Sequence, residues 1–295
     1  MDKVKDNYQS GLVSVVIPTC NRGELFYKAI ESVLGQTYTK VEIIVIDDNS
    51  DAPPALEQYQ AQPMPIIYHK NDTNLGGAIS RNIGAALGHG EFVCFLDDDD
   101  VYLENKLALL VAELEQDAGI DAVFGKIVKL SDPKREYAID FVDSKSILNS
   151  LESIKYLHTN TSLIRHTVFD RIRFDEALAK FQDTQLHIEL VQKCRCKYLD
   201  IPVALWNDNH GSGQITDMKN AAQHVRSIDN YTKLKNNLYQ RDSISWLQYQ
   251  KMAFNLSKMK VKYALNFGRS QDLQLNLFET NVLSLLKFRR ALFCK

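Results

Sequence analysis

The 295-residue chain lacks a surplus of charge of either sign: 35 basic and 37 acidic residues leave a net charge of -2. No general attraction for polyanions follows, so a nucleic-acid role would need a local patch. Cysteine is scarce. Cys20, Cys94, Cys194, Cys196 and Cys294 form an odd set without framework spacing, which suits a reducing compartment. The Cys194-x-Cys196 pair has neither a second pair nor a following histidine pair, so no zinc site is expected. The opening MDKVKDNYQS holds no apolar core, and no apolar run reaches the roughly 18 residues a spanning helix needs. Neither a secretory signal nor a membrane span is therefore expected. Dinucleotide (G-x-G-x-x-G) and P-loop fingerprints are both missing, which removes support for dinucleotide oxidoreductases and P-loop enzymes. Internal repeats and low-complexity tracts are absent as well.

What is present is a strand–helix alternation. Leu12–Ile17, Val41–Ile46, Ile66–Tyr68, Phe92–Leu96 and Ala122–Val128 are short, β-rich and continuously apolar, as buried parallel strands are. Helices are predicted at Glu24–Leu34, Pro54–Gln60, Ala78–Leu87 and Leu103–Gln116, the last with Leu103, Leu107, Leu110, Val111 and Leu114 on one face. This order predicts an α/β/α sandwich with a mostly parallel sheet. Residues 131–160 read as polar and irregular, and a helix is expected over Thr184–Lys193. From about residue 217 onward only helices are expected, with breaks near Asp242 and Gly268. The predicted organisation is a catalytic domain over residues 1–215 and a helical extension over 216–295.

In such sheets ligands bind beyond the carboxyl ends of the strands. There the sequence places Pro18-Thr19-Cys20-Asn21-Arg22, Asp47-Asp48-Asn49-Ser50 and Asp97-Asp98-Asp99-Asp100. Four successive aspartates repel one another in a partly desolvated crevice unless something neutralises them. A hard divalent cation such as Mg²⁺ or Mn²⁺, held by carboxylates and substrate phosphates, removes that repulsion. A helix cap accounts for one aspartate of the four. Asp47-Asp48 suits either a base or ribose contact or a plain Asx turn. Gly76-Gly77 permits close backbone approach ahead of a helix start, with Arg81 one turn in as a phosphate fork or a surface residue.

These segments, in this order, resemble the family 2 glycosyltransferases of GT-A fold: Val13 to Arg22, Ile44 to Ser50, Asn74-Leu75-Gly76-Gly77 with Ser80-Arg81-Asn82, and Phe95 to Asp100. Gln182-Asp183-Thr184 resembles the segment bearing that family's base, and Trp206 to His210-Gly211-Ser212 its late His/Ser element. The resemblance implies a Rossmann-like GT-A domain. The implied reaction is metal-dependent, inverting transfer from a nucleotide-diphospho-sugar, a UDP-hexose by that likeness, to an acceptor hydroxyl. It further implies that Asp48 contacts the base, and that Pro18, Thr19, Arg22 and Arg81 line the nucleotide pocket. Asp97 and Asp98 would serve the ribose and metal shell. Asp99 and His210 would bind Mn²⁺ or Mg²⁺, and Asp183 would be the general base. Two departures stand out: Cys20 where the family often has Tyr, and Gln182 where Glu usually precedes the base.

The segment 243–268 contains no acidic residue but has Lys251, Lys258, Lys260 and Lys262, and residues 281–295 again mix Leu and Phe with Lys and Arg. Such stretches suit an anionic membrane surface or packing on the main domain. By likeness to surface-polysaccharide enzymes, the expected acceptor is a polyprenyl-diphosphate-linked saccharide at the inner face of a bacterial membrane, with the protein cytoplasmic or peripheral there. Competing readings are a nucleotidyltransferase and a non-catalytic sugar-nucleotide-binding protein. The first would show a Gly-rich basic loop after the opening strand, which Pro18 to Arg22 does not provide.

Overall fold

The computed structural model describes residues 8–131, 157–208 and 220–293. Contacts divide the chain into two units, Met1–His210 and Gly211–Lys295.

In the first unit, four strands pair in parallel: β1 (Gln9–Thr19), β2 (Val41–Asp47), β3 (Ile66–Lys70) and β4 (Gly90–Phe95). They continue into β5 (Val101–Tyr102), β6 (Ala122–Lys129), β7 (Ser162–Arg165) and β8 (Cys196–Trp206), giving one mixed sheet in the order β3-β2-β1-β4-β7-β6-β8-β5. The pairing of β7 is antiparallel to both β4 and β6, while β6 and β8 run parallel. The core strands are continuously apolar because both of their faces are covered. Val13, Val15 and Ile17 face a cluster with α1 (Glu24–Leu34) and α3 (Lys106–Gln116), through Phe26, Ile30, Val33, Leu107, Leu110 and Leu114. On the other face lie α2 (Gly77–Leu87) and the short α4 (His166–Phe169). A Cβ added at Gly84 of α2 would collide with Val16 and Ile46, so the helix approaches the sheet as closely as it does because that residue has no side chain. The α/β/α architecture with a mostly parallel sheet is as predicted.

Three expectations change. The predicted helix Pro54–Gln60 is a single 3-10 turn, Glu57–Tyr59. Pro53 and Pro54 supply no N–H to a helical ladder, and Tyr59 buries itself alone. Strand β7 lies just beyond the stretch read as irregular. It is only four residues long, too short to display a period. The pieces near Tyr198 and Leu205 are one eleven-residue strand, β8. The predicted helix from Thr184 is α5, Gln182–Lys193.

The second unit is helical among its described residues: α6 (Ala221–Gln240), α7 (Trp246–Phe267) and α8 (Leu277–Phe293). Capping boxes Asn220/Gln223 and Ser245/Gln248 start α6 and α7. Asp242, at φ 51, and Gly268, at φ 66, fall at the two predicted breaks. Ile228, Leu256 and Tyr263 form its core, with Met259, Phe267 and Leu273 packed around them. No described helix is long and apolar enough to cross a membrane.

Candidate active site

The carboxyl ends of β1, β2 and β4 lie side by side, with Thr19 opposite Asp47 and Val16 opposite Phe95. Asp47 is committed to structure: its carboxylate accepts from the Ser50 amide at 2.7 Å and from the Tyr68 hydroxyl at 2.8 Å. Asp48 anchors the glycine loop. One oxygen accepts from Asn71 Nδ2 and the Leu75 amide, both at 2.8 Å, and the other from the Gly76 amide at 2.7 Å. The turn reading of this acidic pair finds its place at Asp47, while Asp48 holds the loop that leads into α2. Gly76, at φ 85, makes that turn in a region L side chains rarely enter.

The aspartate row is divided among partners. Arg22 spans two of its members, with Nε 2.9 Å from Asp98 Oδ1 and Nη2 3.2 Å from Asp99 Oδ2. Burial pushes the Asp98 carboxyl up to about 6, against the opposing pull of Arg22 and the Thr19 hydroxyl. Burial also works to raise Asp97, but the Arg81 guanidinium, with His158 and Arg22, holds it below the usual carboxylate range. Asp100 is the most deeply set, its carboxylate accepting from Asn160 Nδ2 and from the Asn207 amide at 2.8 Å. Burial first, then the charge of Asp97, pushes Asp100 up to about 8 despite those hydrogen bonds.

Asp97, Asp100 and His158 each offer a ligand atom, and these atoms lie within 4.8 Å of one another. Two carboxylates and an imidazole form a donor set that suits Mn²⁺, and the carboxylates alone suit Mg²⁺. A carboxyl whose charged form is disfavoured by burial and by the charge of Asp97 is one that a cation would relieve there. Asp99, the expected ligand, pairs with Arg22. His210, the other expected ligand, lies outside the described residues, as do Gly211 and Ser212.

Asp183 sits in the first turn of α5, its carboxylate accepting from the Thr184 amide at 2.7 Å. The preceding Phe181 caps the helix at φ 65, a conformation costly for a bulky side chain and common at functional sites. Arg81 ties this segment to the aspartates: Nη2 pairs with Asp97, and Nη1 donates to Gln182 Oε1 at 3.2 Å. The guanidinium lies over the Phe174 ring, 5.4 Å from its centroid. Four turns distant in sequence are therefore joined here, those at Pro18 to Arg22, at Asp48, at the aspartate row and at Gln182-Asp183. An arrangement of this kind, with acids, a basic fork and a carboxylate on a helix start, has the chemistry to bind a diphosphate and to take a proton from a hydroxyl.

The family profile "Glycosyl transferase family 2" matches residues 14–174, more than half of the chain. The chain belongs to glycosyltransferase family 2. Among its relatives in the family is the GalNAc(5)-diNAcBac-PP-undecaprenol beta-1,3-glucosyltransferase of Campylobacter jejuni, 32% identical over 171 residues, 56% of this chain and 55% of that one. The chain spans 38% of the length of two of the first curated relatives it matches and 64% of a third. Solved structures share the fold of this family 2 member. S. aureus TarS 1-349 in complex with UDP-GlcNAc has a TM-score of 0.65 at 18% identity, covering 91% of this chain and 77% of that one. The mannosyltransferase PcManGT of Pyrobaculum calidifontis, in complex with GDP-Man and Mn2+, has a TM-score of 0.60 at 16% identity, covering 95% and 80%.

Sequence reasoning did not find His158 or Asn160. Asn160 receives the Asp97 amide at 2.9 Å and donates to Asp100, fixing the row from the opposite side. No local pattern distinguishes them, because both are brought in by the β7 pairing with β4.

Proposed function

We propose that this chain transfers a sugar from a nucleotide-diphospho-sugar, a UDP-hexose, to an acceptor hydroxyl with inversion at the anomeric carbon. The observation that carries this reading is the Arg81 bridge, which joins the aspartate row to the residue beside Asp183. In the proposed reaction Asp183 accepts the acceptor hydroxyl's proton as that oxygen bonds to the anomeric carbon. The bond from that carbon to the diphosphate oxygen breaks, and its electron pair leaves with the nucleoside diphosphate.

Pro18, Thr19, Arg22 and Asp48 line the nucleoside side in this reading, with Arg81, Asp97 and Asp98 toward ribose and diphosphate. Asp97, Asp100 and His158 would hold Mn²⁺ or Mg²⁺, with Asp99 and His210 as the alternative ligands. A bound cation would supply Lewis-acid stabilisation of the departing diphosphate. Arg22 and Arg81 orient the donor, and each keeps a carboxylate partner when no donor is present.

Donor choice is supported by the UDP-GlcNAc bound to TarS and the cation by the Mn2+ of PcManGT. The undecaprenol-linked substrate in the name of the Campylobacter relative supports a polyprenyl-diphosphate-linked saccharide as acceptor. Polysaccharide assembly at the inner face of the cytoplasmic membrane is the matching role, with the catalytic domain over 1–215 and the helical extension over 216–295. The test is a panel of nucleotide sugars assayed for Mn²⁺-dependent hydrolysis and transfer. Asp183→Asn should keep donor binding and lower kcat by about 10²- to 10⁴-fold. Full activity in that variant overturns the base assignment. Donor binding without turnover in the unaltered protein favours a non-catalytic binding protein, and pyrophosphate release from a nucleoside triphosphate with a sugar 1-phosphate favours a nucleotidyltransferase.

A further inference from the structure

The second unit carries a charge distribution the rest of the chain does not share. Residues 220–293 hold twelve Lys and Arg against four Asp and Glu, in a chain whose net charge is -2. Two of those four acids are occupied within the unit. Glu279 is buried, accepts from Ser257 Oγ at 2.7 Å and lies 3.7 Å from Lys260 Nζ. Asp272 accepts from the Tyr263 hydroxyl at 2.5 Å.

The outer face of α7 is basic and apolar together. Met252, Leu256, Val261, Tyr263 and Ala264 turn inward. Leu247, Lys251, Phe254, Lys258 and Lys262 are exposed at three- and four-residue steps, which lines them along one side of the helix over roughly 22 Å. Leu247 is 72% exposed, Phe254 52% and the adjoining Trp246 59%. Lys258 folds over the Phe254 ring, with Nζ 4.5 Å from its centroid. Leu277, Phe278, Leu285 and Leu286 of α8 are exposed as well. The inward face already fills the unit's own core, so packing within it does not account for the outer row. Exposed Leu, Phe and Trp interleaved with lysines, on a unit with twelve basic and four acidic residues, complement a surface that is negatively charged and apolar beneath. An anionic bilayer offers both over a whole plane: the acyl boundary suits rings and Leu side chains, and the phosphates suit lysines.

We propose that the exposed face of α7 docks on anionic phospholipid bilayers. This deepens the reading of a lipid-linked acceptor and specifies the surface, yet it is tested without that chemistry. Purified full-length protein is sedimented, without nucleotide sugar, with phosphatidylglycerol-containing vesicles and with pure phosphatidylcholine vesicles. Binding should require phosphatidylglycerol and weaken as salt rises. Each basic residue at such a surface contributes about fivefold to partitioning, so Lys251→Gln/Lys258→Gln/Lys262→Gln should weaken it about a hundredfold. Leu247→Ser/Phe254→Ser should also lower binding, while circular dichroism and donor binding stay as in the parent. No binding to anionic vesicles, equal binding to neutral ones, or unchanged binding in both variants overturns the proposal. So does displacement from the face by self-association, seen as a dimer that Leu247→Ser/Phe254→Ser dissolves, or a preference for an oligonucleotide over the vesicles. Donor hydrolysis measured in parallel keeps a failure of docking separate from a failure of the transferase reading.

Discussion

Among the aspartates, Asp100 ties electrostatics to function most directly. Its folded value, pushed up to about 8, stands above the roughly 3.9 of an unfolded aspartate. The fold therefore disfavours its charged form, and without a cation this group's contribution to stability falls as pH rises from about 4 toward 8. A divalent cation reverses this by replacing the proton. Calorimetric titration of Mn²⁺ at neutral pH, in buffers of different ionisation heat, should then show release of about one proton per cation. Asp100→Asn should abolish that release and weaken the cation, and should make the cation-free fold less sensitive to pH. If Asp99→Asn removes cation binding while Asp100→Asn leaves both binding and proton release intact, Asp99 is the ligand. Residues of this kind divide in how legible they are. The acids and Arg22 stand beside strand ends in the sequence, where a parallel sheet puts ligands. His158 and Asn160 reach the same place only through long-range pairing. The pairing of Arg81 with Asp97 and Gln182 was equally out of reach, since contacts across such distances in the chain leave no spacing to read.

At the scale of elements, α2 shows why its two kinds of glycine are not equivalent. Gly84 lies mid-helix, where Ala would ordinarily gain about 1 kcal/mol of helix propensity. An added Cβ would meet Val16 and Ile46 of the packed sheet, and overpacking of that sort costs about 1–3 kcal/mol. Gly84→Ala should therefore lower the denaturant midpoint. At Gly77 an added Cβ would lie 2.7 Å from Arg81 Nη1, the far end of a flexible side chain, and 3.4 Å from Gln182 Oε1. The side chain can move, so Gly77→Ala should keep its stability while the Arg81 bridge shifts. The expected result is an unchanged melting curve with weaker donor binding and slower transfer. Equal effects of the two variants on stability would refute the distinction. Long periodic elements such as α1 and α3 were readable from sequence because each buries one stripe: Phe26, Ala29, Ile30 and Val33 in the first, Leu107, Leu110, Val111 and Leu114 in the second. The stretch 54–60 has too few apolar residues for a stripe and begins on Pro54 with Pro53 just before it, so only the single turn Glu57–Tyr59 forms.

For the whole molecule, the two units possess separate cores and, by chance of composition, one tryptophan each. Trp206 ends β8 in the first unit, with the His158 ring 6.3 Å away and Lys129 Nζ 4.8 Å from its own ring. Trp246 begins α7 in the second. Trp246→Phe and Trp206→Phe variants thus give fluorescence that follows one unit at a time. A ligand bound only to the folded state stabilises by about 2.7 kcal/mol at a hundredfold excess over its Kd. If donor and cation occupy the strand-end site, UDP with Mn²⁺ should move the unfolding transition seen by Trp206 upward. The transition seen by Trp246 should stay in place unless the two units melt as one. In that event both signals must coincide without ligand as well as with it. A shift confined to Trp246 would put the nucleotide on the helical unit and remove the assignment of the aspartate row as its site.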